Sequence, residues 1–292
     1  MTEPRLLNPS VRLALGESPV WDSDNTRLLV ADITGCAIHA FTPDGTHAGT
    51  WLFPSEVGSF GLCRSGRWIV ALRKHVVLFD PRTGAAETIA SPALSTPTRF
   101  NDGKVSPDGS FWVGTMDDRS PRTPIGALFR IAPDRSCTPV IDGLMVSNGL
   151  AWSGDGRTMF HSDSAAGRLD AWDFDPAAGS ATNRQTIFEF TDPALGRPDG
   201  AACDESGIYW SAGVRAGRIN RFSREGRLLS SDPFPCPGVT MPCFGGPDLK
   251  TVYWTSLRHA LGAEAIAEHP TLGGVFVMEA PVAGAAIGKF KD

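Results

Sequence analysis

One phrase recurs along this 292-residue chain and limits its fold more than any other feature. In each copy, a turn that is rich in Asp and Gly leads into a hydrophobic strand with an aromatic or aliphatic residue at its centre. The copies are WDSDNTRLLVAD (21–32), CRSGRWIVAL (63–72), SPDGSFWVGTM (106–116), SGDGRTMFHSD (153–163), CDESGIYWSAG (203–213) and GGPDLKTVYWTS (245–256). Asp and Gly tolerate the positive-φ conformations that tight turns need, so each copy is predicted to contain a hairpin.

The spacing of the copies indicates the architecture. Their strand centres are about 40–50 residues apart, the length of one four-stranded propeller blade, and are Leu29, Ile69, Trp112, Phe160, Trp210 and Tyr253. Further turn signals at 42–45, 80–84 and 173–176 fit hairpins between the outer strands of a blade. The sequence therefore predicts an all-β fold, a six-bladed β-propeller with four-stranded antiparallel blades, as one domain over residues 1–292. Two stacked sandwich domains would not require a constant phrase at constant spacing.

Composition and charge argue against several classes of function. The net charge of -5 provides no basic surface for nucleic acid. No apolar run approaches the roughly 18 residues that span a bilayer, and residues 1–5 lead into no apolar signal segment. The six cysteines are scattered without a CxxC pair, which is typical of small buried groups in a reducing compartment. We expect a cytoplasmic protein without a nucleic-acid or membrane partner.

Oxygen-bearing side chains recur at a fixed distance before the strand centres. In four copies, the residue about 11–12 positions upstream is polar, and these residues are Glu17, Asn101, Asn148 and Asp199. In the other two copies the same offset falls near Val57 and Met241, which have no side-chain oxygen. Equivalent positions of different blades surround the central channel of a propeller, so we expect the four polar side chains to lie close together.

These four side chains predict a metal site. Two carboxylates and two amides form an all-oxygen set, which hard divalent cations prefer. The carboxylates of Glu17 and Asp199 would repel each other in a channel without a cation between them. Taken singly, Asn148 and Asp199 precede glycines and could be turn formers, and Glu17 could be a solvated strand end. Turn chemistry does not require four repeats to carry polar residues at the same distance from their strand centres, however. This shared distance favours the metal site.

Several of these segments resemble one known family. They are LGESPVW (15–21), RFNDG (99–103), GTM (114–116), SNGLAW (147–152) and PDG (198–200), and they resemble the SMP-30/gluconolactonase/regucalcin family. The resemblance extends from about residue 15 to residue 277. It implies a six-bladed propeller with one divalent metal in the channel, held by Glu17, Asn148 and Asp199. It also implies that Asn101 contacts the metal through water or contacts the substrate, and that Arg99 faces the substrate.

The chain departs from the family pattern after the GTM motif. Family members often carry a Glu there that contacts substrate hydroxyls, whereas this chain has Asp117, Asp118 and Arg119. We expect Asp118 to contact the substrate. Arg99 together with these acids favours a polyol, although the shorter acids leave the preferred sugar open.

The resemblance implies a hydrolase that opens a sugar lactone to the aldonic acid, acting on a carboxylic ester bond. The metal would act as a Lewis acid, and Asp199 is the candidate catalytic residue that positions or deprotonates the attacking water. In the alternative mechanism, Asp199 is only a ligand and a water on the metal attacks. Ca²⁺, Zn²⁺, Mg²⁺, Mn²⁺ and Fe²⁺ all remain candidates, and the lactone, its ring size and the oligomeric state remain open.

Two other functions keep the fold but change the role of the channel. One is hydrolysis of an aryl or alkyl lactone or of an organophosphate ester, which a more apolar rim would favour, and the other is a non-catalytic scaffold for metal binding or protein interaction. The tryptophans that repeat in phase with the blades are expected in the core, because blades must pack against one another. Phe244, in a loop rich in Gly and Pro, is expected to contact the substrate at the rim, and His161 is expected to be a hydrogen-bonded structural residue.

Overall fold

The computed structural model describes residues 1–259 and 261–292. The strands in this part of the chain form six four-stranded antiparallel sheets, the six blades of a propeller. Within blades 1 to 5 the strands follow one another in chain order, and each successive blade uses the next four strands. The predicted six-bladed propeller with four-stranded blades is therefore confirmed.

The first three blades cover residues 16–144. Blade 1 contains β2 (Gly16–Asp22), β3 (Arg27–Asp32), β4 (Ala37–Phe41) and β5 (His47–Leu52). Blade 2 contains β6 (Val57–Leu62), β7 (Trp68–Leu72), β8 (Val76–Phe79) and β9 (Ala86–Ala90). Blade 3 contains β10 (Thr98–Val105), β11 (Phe111–Asp117), β12 (Gly126–Ile131) and β13 (Cys137–Leu144).

The remaining blades complete the ring. Blade 4 contains β14 (Ser147–Trp152), β15 (Thr158–Asp163), β16 (Arg168–Asp175) and β17 (Ser180–Glu189). Blade 5 contains β18 (Arg197–Cys203), β19 (Tyr209–Val214), β20 (Arg218–Phe222) and β21 (Leu228–Pro233). Blade 6 contains β22 (Val239–Gly245), β23 (Thr251–Ser256), β24 (Phe276–Glu279) and β1 (Arg5–Leu6).

The recurrent phrase occupies the same place in every blade. All six predicted strand centres lie in the second strand of a blade, and the turn signals at 42–45, 80–84 and 173–176 lie where the third strand of a blade leads to the fourth. The polar positions upstream of the centres lie in the first strands, which surround the propeller axis. The phase of the repeat thus predicted correctly which strands face the channel.

The two ends of the chain meet in blade 6. Strand β1 is the outermost strand of this blade and pairs with β24, with Arg5 opposite Val277 and Leu6 opposite Phe276. Leu7 extends the contact, since its backbone N–H donates to the carbonyl of Val275 over 2.8 Å. The N-terminal residues therefore complete the last blade and close the ring.

Helices are short in this fold. A 3₁₀ turn covers Pro193–Leu195 before blade 5, and helix α1 covers Gly262–Glu268 between β23 and β24. None of the helices in residues 1–259 and 261–292 is long and apolar enough to span a bilayer.

Large aromatic side chains fill the interfaces between blades. Trp112 contacts Trp152 of the next blade edge-to-face, with ring centroids 6.2 Å apart. Trp210 contacts Phe244 in the same manner over 5.4 Å. Trp254 is fully buried, and Trp21 stacks on Tyr253 over 5.8 Å. The aromatic residues in phase with the blades are thus core residues, as predicted.

The tail, residues 280–292, crosses one end of the ring. Backbone N–H groups of the tail donate to carbonyls of three blades: Ala285 to Cys203 over 2.9 Å, Phe290 to Leu62 over 2.8 Å, and Lys291 to Gly109 over 3.1 Å. The side chain of Phe290 is fully buried in a cluster formed by blades 2 and 3. The tail therefore covers this end of the channel and is anchored by one large aromatic residue.

We expect Phe290→Ala to lower the free energy of unfolding by about 3–5 kcal/mol, because it removes a fully buried aromatic side chain and leaves a cavity. Lys291→Ala, at the exposed neighbouring position, is the matched control and should change it by less than about 0.5 kcal/mol. Urea unfolding of both variants measures the difference. Equal effects of the two substitutions would show that the tail is not anchored through Phe290.

Candidate functional site

A cavity of about 170 Å³ opens at the end of the ring opposite the tail. This site cavity is several times larger than the ~30 Å³ of one water molecule. Five of the residues singled out from the sequence line it, namely Glu17, Arg99, Asn101, Asn148 and Asp199. The structure thus brings together in one cavity the three predicted metal ligands and two of the three predicted substrate-binding residues.

A β-bulge positions each polar side chain. Where the first strand of a blade pairs with the second, the register shifts between Glu17 and Val20 in blade 1 and between Asn148 and Ala151 in blade 4. Blades 3 and 5 have the same shift at Asn101 and Asp199. A bulge adds a residue to one strand and redirects the side chains beside it. Asn148 and Asp199 therefore lie in strands, and the turn-former alternative is wrong for both.

The bulge is common to all six blades, but the polar side chain is not. In blade 2 the register shifts between Val57 and Ser59, and in blade 6 between Val239 and Pro242. The repeat therefore provides one backbone geometry six times, and the residue type at the bulge decides which blades contribute oxygen atoms to the cavity.

Side-chain hydrogen bonds connect blades 3, 4 and 5 across the cavity. Asn101 donates through Nδ2 to Oδ1 of Asn148 over 3.3 Å, and Asn148 donates through Nδ2 to Oδ1 of Asp199 over 2.7 Å. Arg99 Nη1 donates to Oδ1 of Asn101 over 3.0 Å. These contacts fix the two amides and the Asp199 carboxylate relative to one another.

Glu17 approaches the cavity from blade 1. Within the described part of the chain, its only hydrogen bond comes from the backbone N–H of Ser18, over 3.1 Å. Burial raises the pKa of the Glu17 carboxyl well above its usual value, and the charges of Asp199 and Asp102 raise it further. Burial and the charge of Asp102 likewise raise the pKa of Asp199 to about 8. The carboxylates of Glu17, Asp199 and Asp102 thus lie close together in one buried space.

These properties fit a divalent cation. Glu17 and Asp199 offer carboxylate oxygens whose repulsion a cation would relieve. Within residues 1–259 and 261–292, Oδ1 of Asn148 accepts only the long 3.3 Å hydrogen bond from Asn101, so it keeps a lone pair for a cation. Among residues 1–259 and 261–292, no group of three or more His, Cys, Asp and Glu could hold a metal. A metal in this cavity would therefore need an amide ligand, and Asn148 can provide it.

Two buried side chains of opposite charge, Asp102 and Lys104, lie beside the site on β10. Asp102 accepts a hydrogen bond from the backbone N–H of Leu150 over 3.0 Å, and Lys104 Nζ donates to the carbonyl of Ala201 over 2.6 Å. Burial lowers the pKa of Lys104 and raises that of Asp102, while the attraction between the two charges opposes both shifts. Asp102 therefore adds negative charge beside Glu17 and Asp199, and the buried cation Lys104 opposes it.

Asp118 has a different position from the other predicted site residues. It is not among the described residues that line the site cavity. Its carboxylate instead accepts hydrogen bonds from Arg73 over 2.7 Å and from Arg99 Nε over 3.3 Å. Burial would raise the pKa of Asp118, but the hydrogen bond from Arg73 and the charge of Arg99 outweigh it and lower the pKa. Asp118 thus holds Arg99 in place, and direct contact with a substrate stays a prediction.

Two expectations about other residues have clear outcomes. Phe244 is buried against Trp210 and lies away from the site cavity, so its predicted role as a rim contact is wrong. Its Gly- and Pro-rich surroundings belong to a strand that packs into the core. His161 is fully buried and its Nε2 lies 2.8 Å from Ser147 Oγ, as expected for a structural histidine.

The sequence argument missed three arginines, the rim arginines Arg122, Arg197 and Arg215, which also line the site cavity. A signal was present for Arg197, because it lies two residues before Asp199 on β18 and alternate residues of a strand share a face. Arg215 follows β19, and Arg122 lies in the loop after β11. Their loops are not part of the repeated phrase, so a fixed distance from a strand centre could not locate these two side chains.

Comparison with known proteins yields a consistent set of relatives. Residues 15–258 match the family model described as the SMP-30/Gluconolactonase/LRE-like region. A 6-deoxy-6-sulfogluconolactonase from Pseudomonas putida is 39% identical over 279 residues, which cover 95% of this chain and 94% of that protein. Regucalcin from Xenopus laevis is 32% identical over 268 residues, which cover 90% of this chain and 89% of that protein.

Solved structures share the fold. A calcium-binding protein, regucalcin, from Agrobacterium tumefaciens matches with a TM-score of 0.91 and 25% sequence identity, covering 99% of this chain and 97% of that one. A gluconolactonase from Xanthomonas campestris matches with a TM-score of 0.75 and 20% identity, covering 95% of this chain and 89% of that one.

Removing one of the crowded charges should stabilise the metal-free protein. In the presence of a chelator at pH 8, we expect Glu17→Gln to raise the unfolding temperature by at least about 2–4 °C, the shift that corresponds to about 1 kcal/mol. The wild-type chain should itself gain stability as the pH falls from 8 towards 4. The reason is that the folded state keeps the Asp199 carboxyl protonated up to a pKa of about 8, against an ordinary 3.8.

Glu205→Gln is the control, since Glu205 is exposed and far from the site cavity. Differential scanning calorimetry of the three proteins at both pH values measures the effects. A lower unfolding temperature for Glu17→Gln than for Glu205→Gln would contradict the view that the two carboxylates destabilise each other.

Proposed function

This chain belongs to the SMP-30/gluconolactonase/LRE-like family, and we propose that it hydrolyses a sugar lactone to the aldonic acid with the help of one divalent metal ion. One observation carries the proposal: Arg99 and Asn101 face the same cavity as Glu17, Asn148 and Asp199. A cavity that held only the metal ligands would fit a scaffold equally well. Substrate-binding groups beside the ligands favour an enzyme.

The lining of the cavity favours a polyol substrate. Charged and amide side chains from four blades face the space, and they can donate hydrogen bonds to ring hydroxyls or accept hydrogen bonds from them. Aliphatic side chains such as Leu15, Ile33 and Val146 also line the cavity, but none of its described lining residues is aromatic. An aryl lactone would find no ring to stack on, so it is the weaker alternative.

Glu17, Asn148 and Asp199 are the proposed metal ligands. When bound, a divalent cation withdraws electron density from the lactone carbonyl and offsets the negative charge that develops on its oxygen. The calcium-binding description of the regucalcin structure supports a divalent ion in general terms. The sulfogluconolactonase name of the Pseudomonas putida relative supports lactone hydrolysis.

Arg99 and Asn101 orient the substrate. Arg99 uses Nε and Nη1 for Asp118, Asn101 and the carbonyl of Phe100, whereas Nη2 makes no hydrogen bond within the described residues. Nη2 can therefore donate to a ring hydroxyl or to the carbonyl oxygen. Asn101 is held by Arg99 and Asn148, so its remaining lone pair has a fixed direction.

Asp199 is the proposed base. Its carboxylate accepts a proton from water while the water oxygen bonds to the carbonyl carbon. The bond from that carbon to the ring oxygen then breaks, and the proton passes to the ring oxygen, which becomes a hydroxyl group of the aldonic acid. The 2.7 Å hydrogen bond from Asn148 fixes the direction of the carboxylate during this transfer. Water adds across the ester bond, and the protein ends unchanged.

The cysteines bear on the proposed cellular location. The six cysteines, all in the described part of the chain, are unpaired, and four of them are buried. Unpaired buried thiols suit a reducing compartment, which supports the proposed cytoplasmic location.

Proton release from a panel of aldonolactones tests the proposal. The panel contains gluconolactone, galactonolactone, xylonolactone and arabinonolactone, each corrected for spontaneous opening. We expect activity to be lost after removal of metal with a chelator and to return with one of the five candidate cations. Full activity after verified metal removal would sink the metal-dependent mechanism, and binding of metal without turnover of any lactone would favour the scaffold.

Asp199→Asn separates the roles of base and ligand. At saturating metal, we expect this variant to lose about 10²–10⁴-fold in kcat, because an amide cannot take the proton from water. Metal occupancy is measured in parallel by equilibrium dialysis, and Glu205→Gln is again the control. If kcat instead falls only in proportion to metal occupancy, Asp199 acts as a ligand alone.

A further inference from the structure

Among the charged residues that line the site cavity, arginines outnumber carboxylates. Its described lining residues include four arginines, Arg99, Arg122, Arg197 and Arg215, and only two carboxylates, those of Glu17 and Asp199. A divalent cation at the carboxylates would make the cavity more positive still. A neutral sugar lactone can use these arginines only as hydrogen-bond donors, whereas an anionic group would also offset their charge.

Arg122 is held at the cavity by an ordered loop. The neighbouring Thr123 donates to Asp117 through its backbone N–H over 2.9 Å and through Oγ1 over 2.7 Å. Arg119 also donates to Asp117, through Nε over 2.9 Å. Asp117 therefore organises the loop on both sides of Arg122, and the Arg122 side chain is left for the cavity.

Arg197 and Arg215 lie at the same end of blade 5. Arg197 pairs with Val214, the residue before Arg215, so the two arginines lie on neighbouring strands beside Asp199. The charge of Arg215 is close enough to Asp199 to lower the pKa of its carboxyl, against the larger effect of burial. The backbone N–H of Arg215 donates to the carbonyl of Pro237 over 2.8 Å, which fixes the start of its loop.

The side chains of Arg122 and Arg197 have no protein partner. Neither makes a hydrogen bond or an ion pair within residues 1–259 and 261–292. Other arginines near the site are paired, since Arg73 binds Glu56 and Asp118, and Arg119 binds Asp117. Two exposed guanidinium groups that face one cavity from blades 3 and 5 form a site for an anionic group with several oxygens, such as a sulfonate or a phosphate.

We propose that two of the rim arginines, Arg122 and Arg197, bind a negatively charged substituent of the lactone, so that the preferred substrate is an anionic aldonolactone. This inference rests on the proposed function and specifies its substrate class. The lactone carbonyl lies at the carboxylates and Arg99 in the depth of the cavity, and the anionic group lies at the exposed rim. A sulfonate or a phosphate at the far end of the sugar has the required chemistry.

The test compares three lactones on the metal-loaded enzyme. They are gluconolactone, 6-deoxy-6-sulfogluconolactone and 6-phosphogluconolactone, which differ in the charge at one carbon. We expect kcat/KM for one of the anionic lactones to exceed that for gluconolactone by about tenfold or more at low salt, and the advantage to shrink at high salt. The better of the two anionic lactones identifies the substituent as sulfonate or phosphate.

Arg122→Gln and Arg197→Gln assign the effect to the rim. Each substitution should lower the ratio of kcat/KM for the anionic lactone over that for gluconolactone by about tenfold. Arg224→Gln, at an exposed arginine outside the site cavity, is the control and should leave this ratio as in the wild type. An unchanged ratio in both rim variants, or equal kcat/KM for neutral and anionic lactones in the wild type, would overturn the inference.

A binding measurement keeps the two proposals apart. If no lactone is turned over, the proposed function fails, and the rim is tested by titration calorimetry with 6-deoxy-6-sulfogluconate and gluconate. Tighter binding of the sulfonate, lost in Arg122→Gln and Arg197→Gln, would support the anionic site without the reaction. Equal binding of the two aldonates would reject it. Gluconate also controls for arginines that serve only the product carboxylate, because both compounds carry that group.

Discussion

Ring closure is the constraint on which the rest of this structure depends. A β-sheet leaves unpaired backbone groups at its edges, and six radial blades would remain an open arc without a contact between the first and the last. Strand β1 meets this requirement by pairing with β24 in blade 6. With the ring closed, the first strand of every blade must face the axis, so the position of a residue within its blade decides whether its side chain reaches the channel.

The site uses this geometry at a cost in stability. A bulge occurs near the axis in all six blades, and four of these bulges carry polar side chains whose charges and dipoles lie in one buried space. Burial alone disfavours the ionised forms of Glu17 and Asp199. The aromatic packing between blades lies away from these buried carboxylates and needs no polar group. The fold can therefore keep a destabilised centre because its stability is built at the interfaces around it.

The sequence predicted the parts of this structure that repeat. The phase of the recurrent phrase located the second strands, the channel-facing first strands and the convergence of Glu17, Asn148 and Asp199, because a repeat fixes equivalent positions in space. It could not locate Arg122 or Arg215, which lie in loops of irregular length. It also misjudged Phe244, since Gly- and Pro-rich surroundings resemble a loop even where the chain is a buried strand. Asp118 was chosen by its distance from a motif, yet its contact with Arg73 depends on the neighbouring blade 2.

The tail gives the channel a direction. Because residues 280–292 cover the end opposite the site cavity, a small molecule enters and leaves through a single mouth. Substrate and product then share one path, and a new molecule cannot enter until the previous one has gone. Opening a lactone in this cavity would create a carboxylate next to its arginines. In a channel with one mouth the order of events is then strict, because the product anion must leave before the next substrate can enter.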